Sequence, residues 1–248
     1  MRYQYAGAGP YEDFAGGRVI RHKPGFVNFP VRLACEIFAR CLAGLPPRNA
    51  ASAVRVYDPC CGGGYLLTVL GFMYNSQISA LYGSDISQEA ADLAEANLDL
   101  LSREGLARRK ARLTALYEAY GKDSHRRAAA SADRLTEMIR RPLFRAVFRR
   151  DILEPGGAWA AGTGFLAADI VVTDVPYGRM VSWSGDAARA VDTLLDNLLP
   201  NLRENAVAAV SRDRSQKITH PAYERIDSFR SGKRTTDILR RRTYTANG

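Results

Sequence analysis

The stretch VYDPCCGGGYL, Val56 to Leu66, sets an aspartate, two adjacent cysteines and three glycines between two apolar runs. Upstream, AVRVYDP alternates as a buried strand does, and downstream YLLTVLGFMY reads as an apolar helix. Glycines between a first strand and its helix let the backbone approach a ligand and aim helix N–H groups at it. A dinucleotide loop would read G-x-G-x-x-G, but Gly62-x-Gly64 is followed by Leu67 where the third glycine belongs. Asp58 would also place a carboxylate beside the diphosphate and repel it. A ligand with a positive centre turns that cost into an attraction.

Outward from this loop the chain alternates strands and helices. ISALYGSDI is a second strand ending in Asp85, and SQEAADLAEANLDLLSREG is a helix with Ser87 as N-cap and Ala90, Leu93, Ala94, Asn97, Leu98 and Leu101 on one stripe. AVFRRDIL is a third strand ending in Asp151, and ADIVVTDVPYG a fourth with Asp174 at its C-terminal end. DAARAVDTLLDNLLPNL reads as a helix, NAVAAVSRD as a fifth strand, and YERIDSFRSGKRTTDILRRR as a hairpin around Ser-Gly-Lys. Before the loop, Pro30 stands at a helix's first position, with Leu33, Ala34, Ile37, Phe38, Cys41 and Leu42 at helical spacing. Strands separated by helices pair in parallel through right-handed crossovers. The expected fold is α/β: a doubly wound, mostly parallel seven-stranded sheet with an antiparallel C-terminal hairpin and a helical insertion. Its expected organisation is an N-terminal extension, residues 1–29, followed by one domain, residues 30–248, with the insertion at about 105–145. Four aspartates, Asp58, Asp85, Asp151 and Asp174, then stand at four successive strand ends, where ligands of such sheets gather.

Composition narrows the class. With 248 residues and 46% hydrophobic content the chain can bury a sizeable core. No run approaches the roughly 18 to 20 apolar residues that span a bilayer, and the N-terminus lacks a secretion signal's apolar stretch, so a soluble cytoplasmic protein is expected. Four cysteines and three histidines show no zinc-ligand spacing, and no metal is expected. The net charge of +9 is unevenly placed: residues 101–150 carry 14 basic and 5 acidic groups, and residues 203–248 carry 11 and 5. Of these 25 cations 21 are arginine, whose planar fork suits phosphate, which points to a polyanionic partner.

D-P-x-C-G-x-G after the first strand, G-S-D-I at the end of the second, D-I after the third and D-x-P-Y-G after the fourth resemble the motifs of class I S-adenosylmethionine-dependent methyltransferases. The similarity is closest to the branch that methylates guanine bases in ribosomal RNA, and within it to avilamycin-resistance 23S rRNA methyltransferases. The motif resemblance covers roughly residues 54–240. It implies that Asp58 contacts the methionine amino group and that the backbone of Cys60, Cys61, Gly62 and Gly64 lines the methionine and ribose. It further implies that Asp85 accepts from the ribose hydroxyls with Ile86 against the adenine, and that Asp151 accepts from the adenine amino group while Ile152 packs on the ring. Acceptor-only carboxylates suit an ammonium, a diol and an exocyclic amine. Asp174, Pro176 and Tyr177 would carry the transfer: Asp174 and a main-chain carbonyl near Val175 draw on the amine N–H bonds while Tyr177 stacks on the base. Cys60 stands where many relatives have glycine, and Val175 replaces the first proline of the usual pair.

The resemblance implies a guanine of 23S rRNA, free or in the large ribosomal subunit, as substrate, with N2 favoured and N1 open, and a role in resistance to an orthosomycin such as avilamycin. Between Asp85 and Asp151 lie 65 residues, more than one helix needs. The excess is expected to touch RNA backbone through Arg108, Arg109, Lys110, Arg112, Arg126 and Arg127. No obligate protein partner is evident, and a monomer is expected. The competing readings are a DNA adenine or protein glutamine methyltransferase, which share a D/N-P-P-Y signature, and a non-catalytic RNA-binding module.

Overall fold

The computed structural model of the chain describes residues 2–26, 28–47, 52–156, 167–175, 189–214, 216 and 218–242. Seven strands form one sheet in the order β3-β2-β1-β4-β5-β7-β6. They are β1 Val54–Asp58, β2 Ile78–Asp85, β3 Phe144–Arg149, β4 Ala168–Asp174, β5 Leu202–Asp213, β6 Tyr223–Ser231 and β7 Arg234–Arg241. The first five pair in parallel, whereas β7 inserts antiparallel between β5 and β6. The order reverses at β1, the position at which open α/β sheets form a crevice.

Side chains alternate between two cores along each strand. Val54 and Val56 of β1, Ile170 and Val172 of β4 and Ile238 of β7 face one core. That face is covered by α1 (Val31–Gly44), α2 (Tyr65–Met73) and α3 (Gln88–Leu98). Tyr57, Tyr82, Val171 and Leu239 face the other core, closed by Val191, Leu194, Leu195 and Leu198 of α6 (Ala190–Leu198). The six residues expected on the α3 stripe are all buried, and the Ser87 hydroxyl accepts from Ala90 N–H at 3.3 Å. Two of the boundaries that differ from the sequence reading bear on the site. Pro30 is the extended N-cap of α1 and not its first helical residue, with φ −60° and ψ 123°. β3 stops at Arg149, two residues short of Asp151, because the chain turns once Arg150 N–H has reached Asp85 O at 2.8 Å.

The insertion is a helical hairpin, α4 (Arg103–Tyr120) and α5 (Asp123–Glu137), turned by Gly121 at φ 64°. The N-terminal segment is sewn to the body of the domain. Phe14, Val19, Ile20 and Phe29 join the first core, and buried Glu36 on α1 accepts backbone N–H bonds from Gln4, Tyr5 and Ala6, each at 2.9 Å. Burial alone would raise the Glu36 pKa, but those donors and Arg40 bring it below the ordinary value. Nearer the loop, buried Asn97 on α3 accepts from Arg21 N–H at 2.8 Å and donates to Arg21 O at 3.0 Å and Gly63 O at 2.8 Å. One amide thus joins the glycine loop, α3 and the N-terminal segment. Asn97→Ala leaves these backbone groups buried without partners and is expected to cost roughly 2 to 5 kcal/mol in urea unfolding, with faster proteolysis within the first thirty residues.

Candidate functional site

The glycine loop owes its shape to one close approach. Gly64 caps α2 with φ 71°, and a Cβ there would lie 2.8 Å from Ala94 Cα on α3. Gly62 is also left-handed, at φ 51°, but a Cβ there would meet nothing nearer than the Phe26 ring at 3.9 Å. Gly64 is therefore required by packing, while Gly62 leaves open space above the loop. The loop is fastened below by Cys61 N–H to Ser84 O at 2.9 Å and by the contact of Tyr57 Oη with Ser84 Oγ at 2.6 Å.

Asp58, at the end of β1, is buried and accepts from Cys60 N–H at 3.1 Å. Burial pushes its pKa up to about 7; the Cys60 N–H and the nearby Thr173 hydroxyl offset part of this, and the Asp85 and Asp174 carboxylates add to it. That Thr173 hydroxyl is buried and makes no well-formed hydrogen bond among the described residues. Asp85, at the end of β2, accepts from Gly62 N–H at 2.9 Å through one oxygen and from Ser87 N–H at 3.0 Å through the other. A carboxylate offers about four lone-pair sites, so these bonds fix its orientation and leave acceptor capacity. Ile86 next to it is 49% exposed, an apolar surface at the mouth of a polar site. Across from β2, Asp151 accepts from Leu153 N–H at 2.9 Å, and Ile152 is buried with its carbonyl held by Asn197 at 2.8 Å.

Asp174, at the end of β4, is not a lone acceptor. Arg234, the first residue of β7, donates to it through Nε at 3.2 and 3.3 Å and through Nη2 at 3.1 Å. The guanidinium also lies over the Phe29 ring, 5.3 Å from its centre. The sequence reading missed Arg234, because the 60 positions between it and Asp174 give no local pattern. The register explains the meeting: Asp174 pairs with Ser211 on β5, whose Asp213 pairs with Arg234 on β7. Pro176 and Tyr177 lie outside the described residues.

This donor set fits the cofactor that the motifs imply. A buried carboxylate held by one N–H, a hydroxyl beside it with bonding capacity to spare and an open left-handed glycine receive an ammonium better than a phosphate. The cysteines are free thiols; burial, with the neighbouring carboxylates, raises both Cys60 and Cys61 well above the ordinary thiol pKa, which makes them inert walls. Among the described residues no His, Cys, Asp or Glu cluster could hold a metal, and no helix is long and apolar enough to cross a membrane.

The insertion cations are largely engaged within the chain. Arg108 binds Asp99 at 2.8 Å, Lys110 binds Asp133 at 2.6 Å, and Arg126 and Arg127 share Asp123 at 2.6 and 3.0 Å. Arg109 is half-buried and donates to Val19 O at 2.9 Å and Arg18 O at 3.2 Å, which makes it a strut for the N-terminal segment. Burial, then the nearby Arg21 and Arg112, pull its pKa down to about 10. Arg112 is exposed without an ion pair among the described residues. So are Arg214, Arg230 and Lys233, of which the last two flank the β6–β7 turn at the sheet edge that carries Asp174.

Comparison with known proteins agrees with this geometry. Residues 1–234 match a family described as rRNA methyltransferase AviRa. A Streptomyces viridochromogenes protein named 23S rRNA (guanine(2535)-N(1))-methyltransferase is 39% identical over 232 residues, 92% of this chain and 91% of that one. The solved rRNA methyltransferase aviRa of the same organism superposes with a TM-score of 0.86 at 37% identity, covering 97% of this chain and 96% of that one. A Listeria monocytogenes structure described as a class I S-adenosylmethionine-dependent methyltransferase shares the fold alone, at TM-score 0.52 and 11% identity, over 92% of this chain and 64% of that one.

Asp58 gives the site a pH dependence of definite sign. Below about 7 the free carboxyl holds a proton, which an arriving ammonium must expel. The affinity for S-adenosylhomocysteine is therefore expected to rise about tenfold per pH unit up to about 7 and level off above it. Asp58→Asn should flatten the profile, as calorimetry between pH 5.5 and 8.5 would read.

Proposed function

Because this chain belongs to the AviRa family of rRNA methyltransferases, we propose that it transfers a methyl group from S-adenosylmethionine to N1 of a guanine in 23S ribosomal RNA. The observation that carries the choice of atom is the 39% identical relative named for guanine N1. The N2 preference read from the sequence gives way to it. With the family established, the DNA, protein-acceptor and non-catalytic readings fall. Resistance to an orthosomycin such as avilamycin is proposed on the same resemblance.

When bound, S-adenosylmethionine supplies an electrophilic methyl on a sulfonium. Asp58 would hold the amino end, Asp85 the ribose, Ile86 the adenine face, and Asp151 with Ile152 the adenine edge. The acceptor chemistry differs from that of an exocyclic amine. Guanine N1 carries a proton and has no lone pair to offer until that proton is given up, so orientation alone does not suffice. Asp174 at the end of β4 is the carboxylate placed to take it. A base reached inside folded RNA must be extruded, and Tyr177 would supply the stacking it loses.

RNA binding is assigned to two surfaces. The pairs of Arg108, Lys110, Arg126 and Arg127 are exposed and screened by solvent, so they can be exchanged for phosphate contacts together with Arg112. Arg230 and Lys233 overhang the catalytic edge and have no ion pair among the described residues to give up. Replacing both with Gln is expected to lower the slope of log affinity against log salt by about 1 to 2 in filter binding to 23S rRNA fragments.

Labelled methyl transfer to ribosomal RNA, free or in the large subunit, followed by nucleoside analysis, tests the main reading. 1-Methylguanosine is expected. N2-methylguanosine or the absence of label would sink it. Asp174→Asn is expected to lose about 10²-fold or more in kcat while its affinity for S-adenosylhomocysteine stays as in the parent protein.

A further inference from the structure

A guanine that loses its N1 proton becomes an anion whose charge rests largely on O6. A carboxylate at N1 is a poor companion for that anion, since both are negative once the base has been deprotonated by any other route. The structure supplies the missing positive charge. Arg234 forks onto Asp174 at 3.1 to 3.3 Å, stands over Phe29, and is about one-fifth exposed in its side chain, as is Asp174. Three distant parts of the chain, the end of the N-terminal segment, β4 and the tip of the C-terminal hairpin, thus converge on one guanidinium. An ion pair between exposed groups needs no such platform.

We infer that Arg234 and Asp174 together form the subsite for the guanine O6–N1 edge, with Arg234 donating to O6 and Asp174 accepting from N1–H. This rests on guanine N1 being the acceptor atom. A guanidinium has five N–H donors in a fixed fork, and its contacts to Asp174 engage Nε and Nη2. Donor beside acceptor is the complement of a ring that presents O6 beside N1–H. Adenine, with an amino group at position 6 and a bare N1, meets donor against donor and acceptor against acceptor, so the pair selects guanine over adenine. In the transfer, Asp174 relays the N1 proton to water in an equilibrium that precedes attack; the guanine anion, its charge on O6 beside Arg234, then bonds the methyl carbon, and the electron pair of the broken carbon–sulfur bond remains on sulfur. The product base is neutral, and Arg234 has carried the charge on O6 in between. Among the described residues the charged groups near Arg234 include Asp174, Asp213 across the β5–β7 pairing, Lys233 beside it in the chain and Arg230 on β6, with Asp58 reached through its coupling to Asp174.

The test is the pH dependence of methyl transfer to guanine N1 between pH 6 and 9.5, for the parent enzyme, Arg234→Gln and Arg234→Lys, with S-adenosylhomocysteine affinity measured alongside. Arg234→Gln is expected to move the midpoint of the kcat profile up by about 1 to 2 pH units, a loss of roughly 10- to 100-fold at pH 7 that closes at high pH. Arg234→Lys should fall between, and cofactor affinity should be unchanged in both. Profiles that stay parallel, a change in KM for RNA alone, or loss of folding or cofactor binding in both variants would overturn the inference and leave the guanine N1 reading standing. If the parent enzyme makes no 1-methylguanosine, both fall together.

Discussion

Negative charge crowded at one edge of a sheet governs the arrangement of this protein. Parallel pairing brings the ends of β1, β2 and β4 side by side, and each ends in an aspartate. Asp58, the most deeply buried, shows the strain: its carboxyl is pushed to about 7 by burial and by its two neighbours. Each of the other carboxylates has a local remedy. Asp85 is tied to two backbone N–H groups, Asp151 to the N–H of Leu153, and Asp174 to an arginine. Asp58 depends most on something outside the chain for its relief, and a ligand ammonium is the natural candidate. A desolvation that the Cys60 N–H and the Thr173 hydroxyl offset only in part thus favours a cationic ligand over a dinucleotide at this edge.

The scaffold keeps this edge from collapsing. Gly64 lets α3 touch the loop backbone directly, and the Asn97 amide holds loop, helix and N-terminal segment in one network. The same N-terminal segment brings Phe29 beneath Arg234. The N-terminal extension therefore supports both ends of the site.

Much of the fold could be read from residue order because it rests on local rules. The period-2 runs, the helix stripes and the glycines between them determine each element from its own neighbours, and the terminal Ser-Gly-Lys turn announces its antiparallel pair. Three of the four aspartates read as strand ends, Asp58, Asp85 and Asp174, were legible for the same reason, while Asp151 stands two residues past β3. The boundaries that escaped, at Pro30 and at the end of β3, depend on where the chain turns in space. Arg234 escaped altogether, since its meeting with Asp174 is made by register across β5. Charge counting also misled in one respect: it finds cations in α4 and α5 but cannot tell that Arg109 commits its hydrogen bonds to Val19 and Arg18. Net charge states how many cations there are, and only tertiary structure states how many are available.

The sewing of the N-terminal segment has a consequence for how the chain is made. Asp13 is held by Arg134, Arg18 and Val19 by Arg109, and Arg21 by Asn97. The residues of this segment thus meet these partners only 76 to 121 positions later in the chain. Contacts of such long sequence separation slow folding, and vectorial synthesis cannot complete them early. Phe14 can pack on Phe72 of α2 earlier, but the segment is not tied down by Arg109 and Arg134 until α4 and α5 have been made. The unfinished chain is therefore most open to chaperones and proteases along this segment.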